Sequence, residues 1–164
     1  MQESSEGPER GRRGRGYAGE APRLLTDIGE AGPARIGTGV GEMDRVLGGG
    51  LVPGSVTLLG GDPGIGKSTL LLQVGAGMTS AVPVLYVTGE ESLQQVGLRA
   101  RRLGFSGSAL QVLSETCLES LLEQATESNP RVMVVDSIQT MFSEALDSAP
   151  GAVSQLRECT ARLV

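Results

Sequence analysis

The sequence predicts an α/β fold, a parallel sheet flanked by helices, and three observations carry that prediction. Short apolar runs alternate with segments of helical period along most of the chain. One run leads directly into a glycine-rich loop followed by a helix-forming stretch. Another, Val132, Met133, Val134 and Val135, is apolar at consecutive positions, as expected of a parallel strand covered on both faces. The length of 164 residues suits one such domain, and with aromatics at only 2% its core must be aliphatic.

Residues 1–34 read as a leader ahead of the domain, which is expected to run over 35–164. Residues 10–16 are glycine and arginine only, with no apolar period. Such a stretch is either a disordered leader or a small nucleic-acid-binding arm, and Glu3, Glu6, Glu9, Glu20 and Asp27 dilute its charge. Residues 42–47 suit a short helix stopped by Gly48, Gly49 and Gly50. A turn at Pro53 and Gly54 precedes a first strand at 56–59, and a helix is expected from Lys67 to Met78. The second strand is 84–87. The helix over 92–103 turns Leu93, Val96, Ala100 and Leu103 inward, with Ser92 and Gln95 as a capping box. Residues 110–113 form a short third strand. Thr116 and Glu119 offer a second capping box for a helix with Leu118, Leu121, Leu122 and Ala125 on one face, broken at Asn129 and Pro130. After the strand at 132–135, a last helix over 152–164 is expected to face Val153, Leu156, Thr160 and Leu163 inward.

The chemistry begins at the loop Gly61, Asp62, Pro63, Gly64, Ile65, Gly66, Lys67, Ser68, Thr69, a Gly-x-x-x-x-Gly-Lys-Ser motif between a strand and a helix. Its glycines let successive backbone N–H groups turn inward around phosphate oxygens. Lys67, the only lysine among 14 basic residues, would reach the β- and γ-phosphates of a nucleoside triphosphate, and the Ser68 hydroxyl would join a Mg²⁺ shell. The following helix adds the positive end of its dipole. Asp136, delivered by the apolar run before it, fits the Walker B carboxylate that holds the same Mg²⁺. Hydrolysis also needs a group to orient water; Glu90 and Glu91 both follow the second strand, and period alone does not choose between them.

Composition narrows the alternatives. A guanine-reading Asn/Thr-Lys-x-Asp motif would need a second lysine. Small-molecule kinases usually have a lid of arginines, for which only Arg157 and Arg162 are candidates, and no acceptor site is visible. With no histidine and no Cys-x-x-Cys pair, Cys117 and Cys159 read as reduced thiols and no zinc is expected in this chain. A net charge of −5 gives no bulk reason for strong nucleic-acid affinity. No apolar run approaches the ~18 residues of a membrane span, so no membrane partner is expected.

The segments 41–54, 61–69, 86–92 (Tyr-Val-Thr-Gly-Glu-Glu-Ser), 135–140 (Val-Asp-Ser-Ile-Gln-Thr) and 148–151 together resemble the bacterial RadA/Sms family of RecA-like DNA repair ATPases, from about residue 35 onward. That resemblance implies a RecA-like P-loop NTPase core, a cytoplasmic location and DNA-dependent ATP hydrolysis. It also implies work on single-stranded DNA and branch migration, a recombinase partner and a homo-oligomeric ring. It chooses Glu90 as the catalytic carboxylate beside Lys67. The family's four-cysteine zinc motif, its Lys-Asn-Arg-Phe-Gly string, its Lon-like domain and the sensor strand between the P-loop and Walker B strands have no counterpart in this sequence. The expectation is therefore a partial RecA-like ATPase domain, weak or inactive alone. The alternatives are a KaiC- or replicative-helicase-like ATPase, or a nucleotide-sensing module that does not hydrolyse and in which 56–59 pairs directly with 132–135. The 143–150 segment is expected as a mobile loop facing a DNA channel, with Glu144 and Asp147 weighing against direct phosphate contact.

Overall fold

The computed structural model describes residues 21–22, 24–27, 32, 34–106 and 108–164, which divide into a unit ending at Gly32 and a second unit, Pro33–Val164. In the first, Leu25–Asp27 forms one 3₁₀ turn, closed by the Asp27 N–H on the Leu24 carbonyl at 2.9 Å. The glycine- and arginine-rich stretch at 10–16 lies outside the described residues.

The second unit follows the expected alternation. Helix α1 (Gly41–Val46) is stopped by Gly48, Gly49 and Gly50, all at positive φ. Gly50 is obligatory there. Its neighbour Leu51 exchanges two 2.8 Å hydrogen bonds with Ile36, and a Cβ on Gly50 would lie 2.4 Å from the Ile36 carbonyl oxygen. Helix α2 (Lys67–Met78) follows the glycine loop. Strand β1 (Val84–Thr88), helix α3 (Leu93–Arg102), strand β2 (Gln111–Ser114), helix α4 (Leu118–Ser128), strand β3 (Val132–Asp136) and helix α5 (Val153–Leu163) complete the order.

The three strands form one parallel sheet in the order β2-β1-β3, with Tyr86 opposite Val112 on one side and Val134 on the other. Central β1 is buried along its whole length, and its alternation divides the core in two. Val84 and Tyr86 pack with Leu72, Val74 and Met78 of α2, Val96 of α3 and Val134. Leu85 and Val87 pack with Leu118 and Leu121 of α4, Met141, and Cys159 of α5. The second unit is thus a three-layer α/β/α arrangement whose covered sheet explains the unbroken apolar runs.

Five expectations are corrected. Residues 56–59 form no strand: the segment pairs with nothing described, and Val56 and Leu58 are 61% and 84% exposed. Nor does it pair with 132–135, since β3 bonds only to β1. Strand propensity alone makes no ladder without a partner edge. The second capping box also fails. The N-cap of α4 is Cys117, and Glu115 Oε1 accepts the N–H groups of Thr116 and Cys117 at 2.7 and 2.9 Å, while Glu119 bonds elsewhere. On α3, Val96 is buried but Leu93 is 52% exposed. Helix α5 is turned away from the expected face: Gln155 and Cys159 are buried, whereas Val153 and Thr160 are exposed.

Candidate nucleotide site

The glycine loop is open to solvent from Gly61 to Gly66. Gly64 and Gly66 have φ of 79° and 102°, and a Cβ built on either would meet nothing, so both face free space. Gly66 is the N-cap of α2 and supplies no capping side chain; the first amide bonded back to it is that of Leu70, at 2.9 Å. The N–H groups of the first turn are therefore available to an external acceptor. Lys67 is folded back, its Nζ donating to the Gly61 and Asp62 carbonyls at 2.6 and 2.8 Å. Ser68 and Thr69 are half-buried on the same turn. Open glycines, uncapped amides and an ammonium whose partners among the described residues are neutral carbonyls fit a triphosphate, whose anionic oxygens make stronger acceptors.

Across the C-terminal edge of the sheet, each of two neighbouring strands holds the other's carboxylate. Register pairs Thr88 with Asp136, and Asp136 shares strand parity with Val134, on the face that α2 covers. The Tyr86 hydroxyl on β1 donates to Asp136 Oδ2 at 2.7 Å. In the reverse direction, the Ser137 hydroxyl after β3 donates to Glu90 Oε1 after β1, at 3.0 Å. Tyr86 is fully buried, and that burial, followed by the bond to Asp136, raises its phenol well above the ordinary tyrosine range.

The structure separates the two glutamates that the sequence left open. The Glu91 N–H donates to Thr88 Oγ1 at 3.0 Å, and this tight turn sends consecutive side chains apart. Glu91 is ion-paired with Arg99 of α3, both partly buried. Glu90 is exposed beside Ser137, on the edge that carries Asp136. Gly89 makes the turn possible by close approach, since a Cβ there would fall 1.9 Å from Thr140 Oγ1. Helix α2 packs against both β1 and β3, so loop and carboxylate edge belong to one side of the sheet.

Sequence reasoning missed Tyr86, Ser137 and Arg99. The available signal was Tyr86 itself, the one polar-tipped side chain in an otherwise aliphatic run, since a buried phenol needs an acceptor. It also missed the polar system on the opposite face of the sheet. Gln155 accepts the Ser143 N–H at 2.8 Å and donates to the Ser143, Leu146 and Ser148 carbonyls at 3.2, 3.2 and 2.8 Å. Glu119 accepts from the Ser143 hydroxyl at 2.8 Å, from the Glu144 N–H at 3.2 Å and from Arg162. The first part of the 143–150 segment is therefore held by side chains from α4 and α5. The Ser143 bond, with the Glu144 amide and Arg162, holds the Glu119 carboxyl down at about 2. Cys117, Glu119 and Glu144 lie close together, but the Glu119 oxygens are already taken by internal donors.

A model of the family described as AAA domain matches residues 40–163. The chain is 56% identical over 151 residues to DNA repair protein RadA of Pseudomonas aeruginosa, covering 91% of this chain and 33% of that protein. It is 53% identical over 146 residues to DNA repair protein RadA of Bacillus subtilis, covering 88% and 32%. It is 51% identical over 152 residues to that of Escherichia coli, covering 90% and 33%. The chain thus spans about a third of the length of the curated relatives it matches.

Proposed function

We infer the function from the premise that this chain belongs to the AAA domain family and, within it, to the RadA group of DNA repair proteins: it is the ATP-binding and ATP-hydrolysing part of a DNA repair ATPase. The observation that carries this reading is the open glycine loop with Lys67 on the uncapped end of α2, on the same sheet face as Asp136. In this assignment Gly61, Asp62, Pro63, Gly64, Ile65, Gly66, Lys67, Ser68 and Thr69 wrap the phosphates. Ser68 and Asp136 would hold Mg²⁺, which when bound would neutralise charge developing on the phosphoryl oxygens. Lys67 stabilises the same charge, and Glu90 accepts the proton of the attacking water. The pairing of Glu91 with Arg99 supports Glu90 rather than Glu91 for that role.

The finer reading follows the family resemblance: a cytoplasmic ring of identical subunits that hydrolyses ATP on single-stranded DNA and drives branch migration beside a recombinase. The domain over 35–164 is read as part of a RecA-like core, inactive or weak by itself. The uncovered Val56 and Leu58, and the β3 edge that pairs with nothing described, support this, because an unpaired apolar strand segment costs both packing and hydrogen bonds. A nucleotide sensor that does not hydrolyse stands as the second reading, without the pairing of 56–59 to 132–135 expected for it.

The test is ATP binding and phosphate release by the purified chain, with and without single-stranded DNA. Lys67→Ala should weaken binding about 10- to 100-fold, the value of a charge-assisted contact. Glu90→Gln should keep binding and reduce any turnover by about 10²-fold or more. Absence of ATP binding by the wild-type chain would sink the assignment. Strong DNA-stimulated turnover that Lys67→Ala abolishes would instead refute the weakness of the isolated piece, and saturable binding with no turnover would favour the sensor.

A further inference from the structure

The Tyr86 hydroxyl reaches Asp136 along the sheet. Tyr86 stands opposite Val134, so its tip spans two residue rises, about 6.6 Å, to a carboxylate one step further along the same face. A shorter hydroxyl at this position would not make that distance. The buried side chains packed around it, Leu72, Val84, Val96 and Val134, contain no polar atom. The next carboxylate from α3's side, Glu91, is engaged by Arg99. Asp136 Oδ2 therefore receives the phenol at 2.7 Å, and no donor among the described residues reaches Oδ1.

We propose that Tyr86 is a positioning residue for the metal carboxylate: by bonding Asp136 Oδ2 it fixes the carboxyl plane and leaves Oδ1 as the oxygen offered to Mg²⁺ and its water. This rests on the reading of Asp136 as the Mg²⁺ carboxylate. Hydrogen-bond partners of this kind orient a metal-binding group, and losing one commonly weakens metal affinity about 10-fold. A tyrosine that merely satisfied its own hydroxyl in the core would affect stability without selecting for the metal.

The experiment titrates Mg²⁺ into the full chain with a fluorescent ATP analogue, for wild type, Tyr86→Phe, Asp136→Ala and the double variant. Tyr86→Phe should raise the half-saturating Mg²⁺ concentration about 10-fold while leaving metal-free nucleotide binding unchanged. In the Asp136→Ala background it should add no further shift. A wild-type midpoint in Tyr86→Phe, with Asp136→Ala shifted, overturns the proposal and leaves the site assignment standing. An equal shift in both backgrounds also overturns it, since Tyr86 would not act through Asp136. An unshifted Asp136→Ala removes the carboxylate reading and the proposal with it. A second readout needs no change at Tyr86. The chain has two tyrosines and no tryptophan, so Mg²⁺ added to the nucleotide-bound wild type should perturb tyrosine fluorescence, and Asp136→Ala should abolish that change. A flat wild-type signal counts against the proposal.

Discussion

At the scale of single residues, the site depends on side chains whose neighbours leave them one available direction. Lys67 rests on two carbonyls of its own loop, so its ammonium is kept near the place a phosphate would take, with no competing carboxylate on it among the described residues. Glu90 and Glu91 are adjacent in sequence and chemically identical, yet Arg99 engages one and Ser137 the other. No local rule distinguishes them, because Arg99 and Ser137 arrive from α3 and from the end of β3. Gly89 shows the same dependence. It sits between two tight partners, with its N–H on the Asp136 carbonyl at 3.0 Å and Thr140 against its α-carbon. Thr140 cannot swing away freely, since its hydroxyl bonds the Ser137 carbonyl at 2.8 Å. Gly89→Ala should therefore destabilise the chain by about 1–3 kcal/mol, the usual cost of overpacking. Chemical denaturation of the pair of proteins measures this, and an unchanged midpoint would contradict the close approach.

At the scale of elements, α4, α5 and the 143–150 segment form one polar assembly. Glu119 links α4 to Ser143, Glu144 and Arg162, and Gln155 holds the segment from the other side. The Glu119 carboxyl is held at about 2 against an ordinary 4.5, so its stabilising effect is full above pH 4.5 and is lost as pH falls toward 2. The melting-temperature difference between wild type and Glu119→Gln should stay constant above that range and close across it. A difference independent of pH down to 2 would show that the carboxylate charge is not what matters. The orientation of α5 could not be read from period. Val153, Leu156, Thr160 and Leu163 make a plausible stripe, and so do Gln155, Cys159 and Leu163. Packing chose the second because Gln155 finds four partners in the loop before it, which offsets burying an amide. The capping box on α3 was legible because it is local: Gln95 N–H bonds the Ser92 hydroxyl at 3.3 Å and Gln95 Oε1 receives the Ser92 N–H at 2.9 Å.

At the scale of the whole molecule, two apolar layers on a three-stranded sheet hold the loop and the carboxylate edge on one side. A ligand that bridges them would bind only the folded state. Saturating ATP and Mg²⁺ at about 100 times the dissociation constant should contribute about 2.7 kcal/mol, a rise in melting temperature of roughly 5–10 °C. Differential scanning measures this, and no shift in wild type at nucleotide concentrations shown to bind would mean that loop and sheet do not act as one folded unit. By itself the sequence determined the α/β alternation, the parallel sheet, the glycine loop with Lys67, and Asp136 at the end of an apolar strand. Each of these follows from residues within a few positions of one another, where period, turn chemistry and motif spacing operate. Only the tertiary structure decided which glutamate pairs with Arg99 and which with Ser137, that Tyr86 holds Asp136, which face of α5 is buried, and that residues 56–59 stand without a strand partner among the described residues. The Tyr86–Asp136 and Glu90–Ser137 contacts join residues 50 and 47 positions apart, and even the nearer partners of Glu91 and Gln155 lie on other elements, so the physics of each contact is set by what folding brings to the segment.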